Sequence, residues 1–181
     1  IEDAAECLGS FFKRKHLGTF GKVGCLSFNG NKIITTGGGG AILINNKKIY
    51  KKIKHLATTA KLKHLWEYDH DQIGFNFRMP SINATLGFAQ LSQIKKLKKS
   101  KRNLFLRYQK SFKKVEGVKI FKDNKFEKSN YWLQTLILNT RFKKYKNKIL
   151  RENFKKKIYL RPAWKLISNL KPYHRKQKMN L

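Results

Sequence analysis

The sequence predicts a mixed chain of α/β or α+β class. Three observations carry this. Short apolar runs bounded by Gly and Asn, at 24–28 and 40–45, have the pattern of buried strands. Between 46 and 112 apolar residues recur at helical spacing. Strand-like and helix-like stretches then go on alternating as far as residue 160.

In chain order, Ile1-Glu2-Asp3-Ala4-Ala5 reads as the end of a buried strand entering a turn. Gly24-Cys25-Leu26-Ser27-Phe28 and Gly40-Ala41-Ile42-Leu43-Ile44-Asn45 are the next strands. The Gly-rich connection between them lets backbone approach a ligand closely. Ile49, Ile53 and Leu56 put an apolar stripe on a lysine-bearing helix over 46–57. Residues 66–80, aromatic and polar, read as an ordered loop. Ser81 is placed to cap one long helix that runs through Leu86, Ala89, Ile94 and Leu97 to about Phe112. Val118-Lys119-Ile120-Phe121 and 131–138 read as strands, 141–157 as a basic helix, and Ile158-Tyr159-Leu160 as a last strand. A boundary near residue 100 separates a Gly-rich half, 1–100, from a smaller Lys-rich α+β half, 101–181.

The 181 residues are 40% hydrophobic and 13% aromatic, enough apolar surface for a core and too much for wholesale disorder. No run approaches the roughly 20 apolar residues of a membrane-spanning helix, so membrane insertion is not expected. Cys7 and Cys25 give neither a disulfide framework nor metal-ligand spacing, and no secretory pattern is present, so a cytoplasmic location is expected. Opening on Ile1 in mid-strand, the chain reads as the C-terminal portion of something longer.

Lys and Arg number 42 against 10 Asp and Glu, a formal charge of +32. Residues 1–71 hold 12 basic and 6 acidic side chains, and 72–181 hold 30 and 4, so the second segment carries most of the excess. Such charge fits a nucleic-acid footprint. Against that, only eight of the 42 are Arg, the better residue for bidentate phosphate or base recognition, and no zinc-finger, RNP-like or zipper pattern accompanies them. The lysines read as solvated faces set by composition, and no specific nucleic-acid partner is expected.

Asp3 at a strand end and Lys32 in the Gly-rich connection suit a pyridoxal 5'-phosphate site: the amine binds the cofactor aldehyde and the carboxylate keeps the pyridine nitrogen protonated. Ser27 is placed to donate to the phosphate. Asp3 also reads as a simple helix cap. His64, Asp69, His70 and Asp71 match no common metal site, and the glycines 37–40 lack the Lys-Ser/Thr of a P-loop. The cysteines have no partner base and read as small buried residues.

The strings 1–10 and Gly18-Thr19-Phe20-Gly21, continuing through Asn29-Gly30-Asn31-Lys32-Ile33-Ile34-Thr35-Thr36-Gly37, resemble the DegT/DnrJ/StrS family of sugar aminotransferases. Gly74-Phe75-Asn76-Phe77-Arg78-Met79-Pro80, followed by Asn83-Ala84 and Gly87 to Leu91, resembles the same family's second block. The resemblance spans the chain and is densest before residue 92. It implies the C-terminal part of a fold-type I large domain plus a small α+β domain, with pyridoxal 5'-phosphate as cofactor. Lys32 matches the Schiff-base lysine, Asp3 the acid at the pyridine nitrogen and Ser27 the phosphate-holding serine. Asn76 matches an asparagine that reaches the phosphate of a neighbouring subunit, which implies a homodimer with shared active sites. Glu6 stands where many members have Gln or His beside the cofactor. Arg78 is placed to contact substrate or brace its loop, and His16, among Lys13, Arg14 and Lys15, either to meet a sugar-nucleotide phosphate or to sit in an exposed basic loop. The implied reaction moves the amino group of L-glutamate to a nucleotide-linked 4-keto-6-deoxy sugar. The spelling at 29–32 and 37–40, with Arg161-Pro162-Ala163-Trp164, is most similar to the legionaminic-acid branch, and a perosamine-type GDP-sugar branch comes second.

Overall fold

The computed structural model describes residues 1–173 and 175. Its elements in order are β1 (Glu2–Asp3), β2 (Phe11–Phe12), β3 (Lys15–His16), β4 (Val23–Ser27), β5 (Gly40–Ile44), α1 (Lys47–Ala57), α2 (Ser81–Ser92), α3 (Ile94–Phe112), β6 (Val118–Ile120), β7 (Glu127–Lys128), β8 (Leu136–Leu138) and α4 (Lys146–Lys155). The chain divides into two compact units, Ile1–Ile137 and Leu138–Leu181. Residue 100 lies within α3, the helix expected to link the two halves, and Phe105 on that helix is fully buried and stacks on Tyr131 at 4.1 Å between ring centroids.

The central sheet of the first unit has the order β1-β4-β5. β1 runs parallel to β4 with Asp3 opposite Cys25, and β4 runs antiparallel to β5 with Ser27 opposite Gly40. In β4 Gly24 and Leu26 are buried, as period-two alternation requires. Gly24 cannot be replaced freely, since a Cβ there would overlap the carbonyl oxygen of Gly18. The Gly18 and Gly21 amides in turn donate to the Glu2 carboxylate, and the Gly21 and Gly18 bonds hold that carboxyl below its usual range despite some desolvation. α1 forms where the stripe predicts it, with Asn46 Oδ1 accepting the amides of Lys48 at 2.9 Å and Ile49 at 3.0 Å.

The single long helix expected over 81–112 is two helices. Gln93, at φ −97° and ψ 4°, leaves the α conformation and ends α2, beside Ser92, whose hydroxyl donates to the Ala89 carbonyl at 2.7 Å. The N-cap is Pro80, not Ser81, and it makes no side-chain bond. The strand expected over 131–138 shrinks to Leu136–Leu138, paired with β6. Its first residues are diverted by Tyr131, a bulky residue at φ +49°. A second small sheet, β3-β2-β7, was not expected. It pairs Phe11 with His16 and Lys128.

In the second unit a 3₁₀ helix over Thr140–Tyr145 precedes α4, so the expected 141–157 helix is tightened in its first third. Residues 158–160 are not a strand. Their side chains stay exposed and no strand lies beside them among the described residues. Two short 3₁₀ turns, Ile167–Asn169 and Lys171–Tyr173, follow.

Candidate active site

Strand direction gathers the candidate residues at one edge of the central sheet. Because β1 and β4 are parallel, their C-terminal ends fall together, bringing Asp3 and Ser27 to the edge from which the Gly-rich connection departs. Ligands of open α/β sheets bind at such carboxyl ends. Lys32 lies in that connection, its amide donating to the Asn29 carbonyl at 3.0 Å, while the side chains of Ile33 and Ile34 are buried beside it.

The Lys32 side chain is only 13% exposed, and its Nζ is 3.1 Å from Glu6 Oε1. The same Nζ lies 4.5 Å from the centre of the Trp132 ring. A cation–π contact of this kind, partly out of water, contributes about 1 kcal/mol. The Trp132 indole N–H donates to the Asn31 carbonyl, so the ring is pinned beside the residue that precedes Lys32. Glu6 and Trp132 thus bracket the amine.

Asn130 joins these two brackets. It is 4% exposed, and its Nδ2 donates to the Glu6 carbonyl at 2.8 Å and the Leu8 carbonyl at 3.0 Å. Its Oδ1 accepts the Trp132 amide at 2.9 Å, and its own amide donates to Ser10 Oγ at 3.0 Å. A buried amide with its polar atoms engaged fixes the 6–10 turn to the 130–132 segment. Neither Asn130 nor Trp132 stood out in the sequence, since each reaches the site across about a hundred residues and no local pattern marks it.

At the sheet edge, Asp3 is exposed and its Oδ1 accepts the Ala5 amide at 3.1 Å, so the carboxylate does cap its turn. Ser27 Oγ accepts the Asn29 amide at 3.3 Å, which leaves its proton to donate. A Cβ added to Gly30 or to Gly38 would meet nothing within 4 Å, so space is open above the connection. An amine, a carboxylate and a hydroxyl around open space fit a pyridine phosphate cofactor in donor chemistry.

Among the described residues no hydrogen bond joins the remaining candidates to this cluster. Asn76 is exposed on the loop before α2, bridged to Thr58, and its side chain makes no hydrogen bond among the described residues. Arg78 is exposed two residues further on. That loop ends against the Gly-rich connection: Met79 packs where a Cβ of Gly39 would fall 3.1 Å from its Cε, and Asn83 Nδ2 donates to the Thr36 carbonyl. His16 turns inward, Nε2 accepting the Gly9 amide at 2.8 Å with the ring edge-on to Phe11. Burial pushes the Cys7 thiol above its ordinary pKa, so it is no ready nucleophile. Among the described residues no group of three or more His, Cys, Asp or Glu is placed to hold a metal.

The fold is that of the C-terminal part of sugar aminotransferases. The Helicobacter pylori aminotransferase PseC, from pseudoaminic acid biosynthesis, superposes with a TM-score of 0.88 at 28% identity, over 99% of this chain and 49% of that one. The DegT/DnrJ/EryC1/StrS aminotransferase family profile matches residues 1–181, and the chain belongs to that family. It is 39% identical over 165 residues to EpsN of Bacillus subtilis (strain 168), named provisionally as a pyridoxal phosphate-dependent aminotransferase; the match covers 91% of this chain and 42% of that one. It is 37% identical over 140 residues to GDP-perosamine synthase of Escherichia coli O157:H7, covering 77% and 38%. The chain therefore spans about two fifths of the length of these relatives. Neighbours of this fold include a pyridoxal phosphate form.

Proposed function

We propose that the protein of which this chain forms part transfers the amino group of L-glutamate to a nucleotide-linked 4-keto-6-deoxy sugar, with pyridoxal 5'-phosphate as cofactor, for surface polysaccharide or nonulosonic acid synthesis. The observation that carries the reading is the Lys32 amine, partly buried between Glu6 and Trp132 at the sheet edge shared by Asp3 and Ser27. The cofactor supplies an electron sink for the bond broken next to the migrating nitrogen.

Lys32 is the attachment point and, when free, the base whose Nζ takes the proton from the donor's α-carbon and returns one to the sugar carbon. Glu6 and Trp132 hold that nitrogen in place. The Asp3 carboxylate would keep the pyridine nitrogen protonated, and the Ser27 hydroxyl would donate to the phosphate. Arg78, exposed, is assigned to the substrate side. His16 takes an indirect part by holding Gly9 and with it the turn that bears Glu6. Residues 1–100 are assigned to the cofactor-binding large domain of the whole protein and 101–181 to its small domain.

A homodimer with shared sites belongs to this proposal. The Asn76 side chain makes no hydrogen bond among the described residues and is flanked by exposed apolar side chains, among them Ile73 at 85% and Phe77 at 74% exposure, a surface that favours cover by a second copy. A cytoplasmic location fits the unpaired cysteines, and no helix among the described residues is long and apolar enough to cross a membrane. Within the family the spelling at 29–32 supports the legionaminic-acid branch. The identity to GDP-perosamine synthase favours a second reading, a GDP-linked substrate.

The test is the visible absorption spectrum of the full-length protein with pyridoxal 5'-phosphate, beside Lys32→Ala. A cofactor band that requires Lys32 and bleaches with L-glutamate is the expected result. Undiminished turnover by Lys32→Ala refutes the assignment.

A further inference from the structure

An open cleft of about 1190 Å³ lies on the first unit, away from the Lys32 amine in its lining. One wall is α3, where Lys95, Lys98, Lys99 and Arg102 are spaced to share a helix face. The facing wall is the 122–129 segment, with Lys122, Lys125 and Lys128, and the β2–β3 turn adds Arg14.

Both carboxylates of the cleft are already engaged. Asp123 takes Arg102 Nη1 at 3.1 and 3.3 Å, the Ser129 amide at 3.2 Å and the Tyr131 hydroxyl. Glu127 accepts the Asn124 amide at 2.9 Å and its side-chain nitrogen at 3.2 Å. Arg14 and the six lysines therefore have no ion pair among the described residues.

Lys98 separates this cleft from an ordinary solvated lysine face. Its stem lies against Gly9, where a Cβ would fall 2.8 Å from Lys98 Cδ, and its Nζ is 5.3 Å from the centre of the Phe11 ring. Burial, and then the like charge of Lys128, lower its pKa from the usual lysine value. A partly buried cation without an ion pair of its own is costly unless an anion enters. A single phosphate carries about two charges against Arg14 and six lysines of the lining. Cations on two facing walls suit a chain of two phosphates. The exposed Phe126 ring in the lining offers a face on which a base can stack.

We propose that this cleft binds the diphosphate group of a small ligand, with Lys98 and Lys128 clamping it from opposite walls. The site is separate from the cofactor residues and does not depend on the transaminase reading. Calorimetric titration of the full-length, cofactor-loaded protein with inorganic pyrophosphate should show saturable binding. Lys98→Gln with Lys128→Gln should weaken it by about tenfold or more, as expected for losing two charge-assisted bonds. The charge-matched Lys146→Gln with Lys148→Gln on α4 should leave it unchanged, and neither pair should alter the cofactor band. UDP binding more tightly than pyrophosphate, and cut equally by the first pair, identifies a nucleoside diphosphate; equal affinities identify the phosphate chain itself. Unsaturable binding, equal loss in the α4 control, or a single-stranded oligonucleotide that pyrophosphate cannot displace overturns the proposal.

Discussion

Asn130→Leu removes the amide that joins the Glu6 turn to the Trp132 segment and keeps the volume. Three side-chain hydrogen bonds go: those to the Glu6 and Leu8 carbonyls and that from the Trp132 amide. At about 1 kcal/mol net for each, and with the Trp132 amide losing its Asn130 acceptor, the loss is about 3–4 kcal/mol. For a chain of this size that lowers Tm by roughly 6–15 °C. Thermal unfolding followed by tryptophan fluorescence measures it. Asn130→Asp supplies the internal control. It keeps the acceptor for Trp132 but turns a carboxylate toward two carbonyl oxygens, so its folded pKa rises above the unfolded value of about 3.9. The stability of the neutral acid is then present below that unfolded value and lost as pH rises through the folded one. Asn130→Asp should thus recover on acidification while Asn130→Leu does not. A Tm loss under about 2 °C for Asn130→Leu, less than 1 kcal/mol, refutes the idea that this amide holds the two brackets of Lys32 together.

Gly24→Ala should cost at least about 2 kcal/mol, read by urea unfolding, because its methyl has no room beside the Gly18 carbonyl oxygen. Tyr131 is pushed up to about 12 by burial and by its bond to Asp123. The stability this represents is complete below the unfolded tyrosine value of about 10 and is lost as pH rises toward the folded one. The advantage of the native protein over Tyr131→Phe should therefore vanish across that alkaline window. Asp123 runs the other way. Burial opposes its charge, but Tyr131, the Ser129 amide and Arg102 outweigh it and hold the carboxyl low. Its contribution, measured against Asp123→Asn, should persist above about pH 4 and fall away at more acidic pH.

What the sequence made legible is what short-range chemistry decides. The apolar run at 24–28 became β4, the stripe of Ile49, Ile53 and Leu56 became α1, and parallel pairing of β1 with β4 brought Asp3 and Ser27 to the edge from which the connection bearing Lys32 departs. The illegible parts depend on distant partners. Phe11 pairs with Lys128, and two-residue strands have no periodicity to detect. The run at 158–160 had strand composition but no strand to pair with among the described residues. Ser92 looked like any polar residue on a helix, yet it stands where one helix becomes two. Trp132, which faces the Lys32 amine, read as the start of a strand, and the positive φ of Tyr131 together with the Asn130 bonds to residues 6–10 turns it aside.

The bracket around Lys32 also sets a schedule. Lys32 and Trp132 are separated by 100 positions, and ribosomes add about 5–20 residues per second, so roughly 5–20 s pass after Lys32 is made before its aromatic cover exists. In that interval β1, β4 and β5 can pair, but the amine faces water and the 6–10 turn lacks its anchor. The competent pocket is thus a late product of synthesis, and a chain interrupted before Asn130 keeps the lysine without the surroundings that hold it.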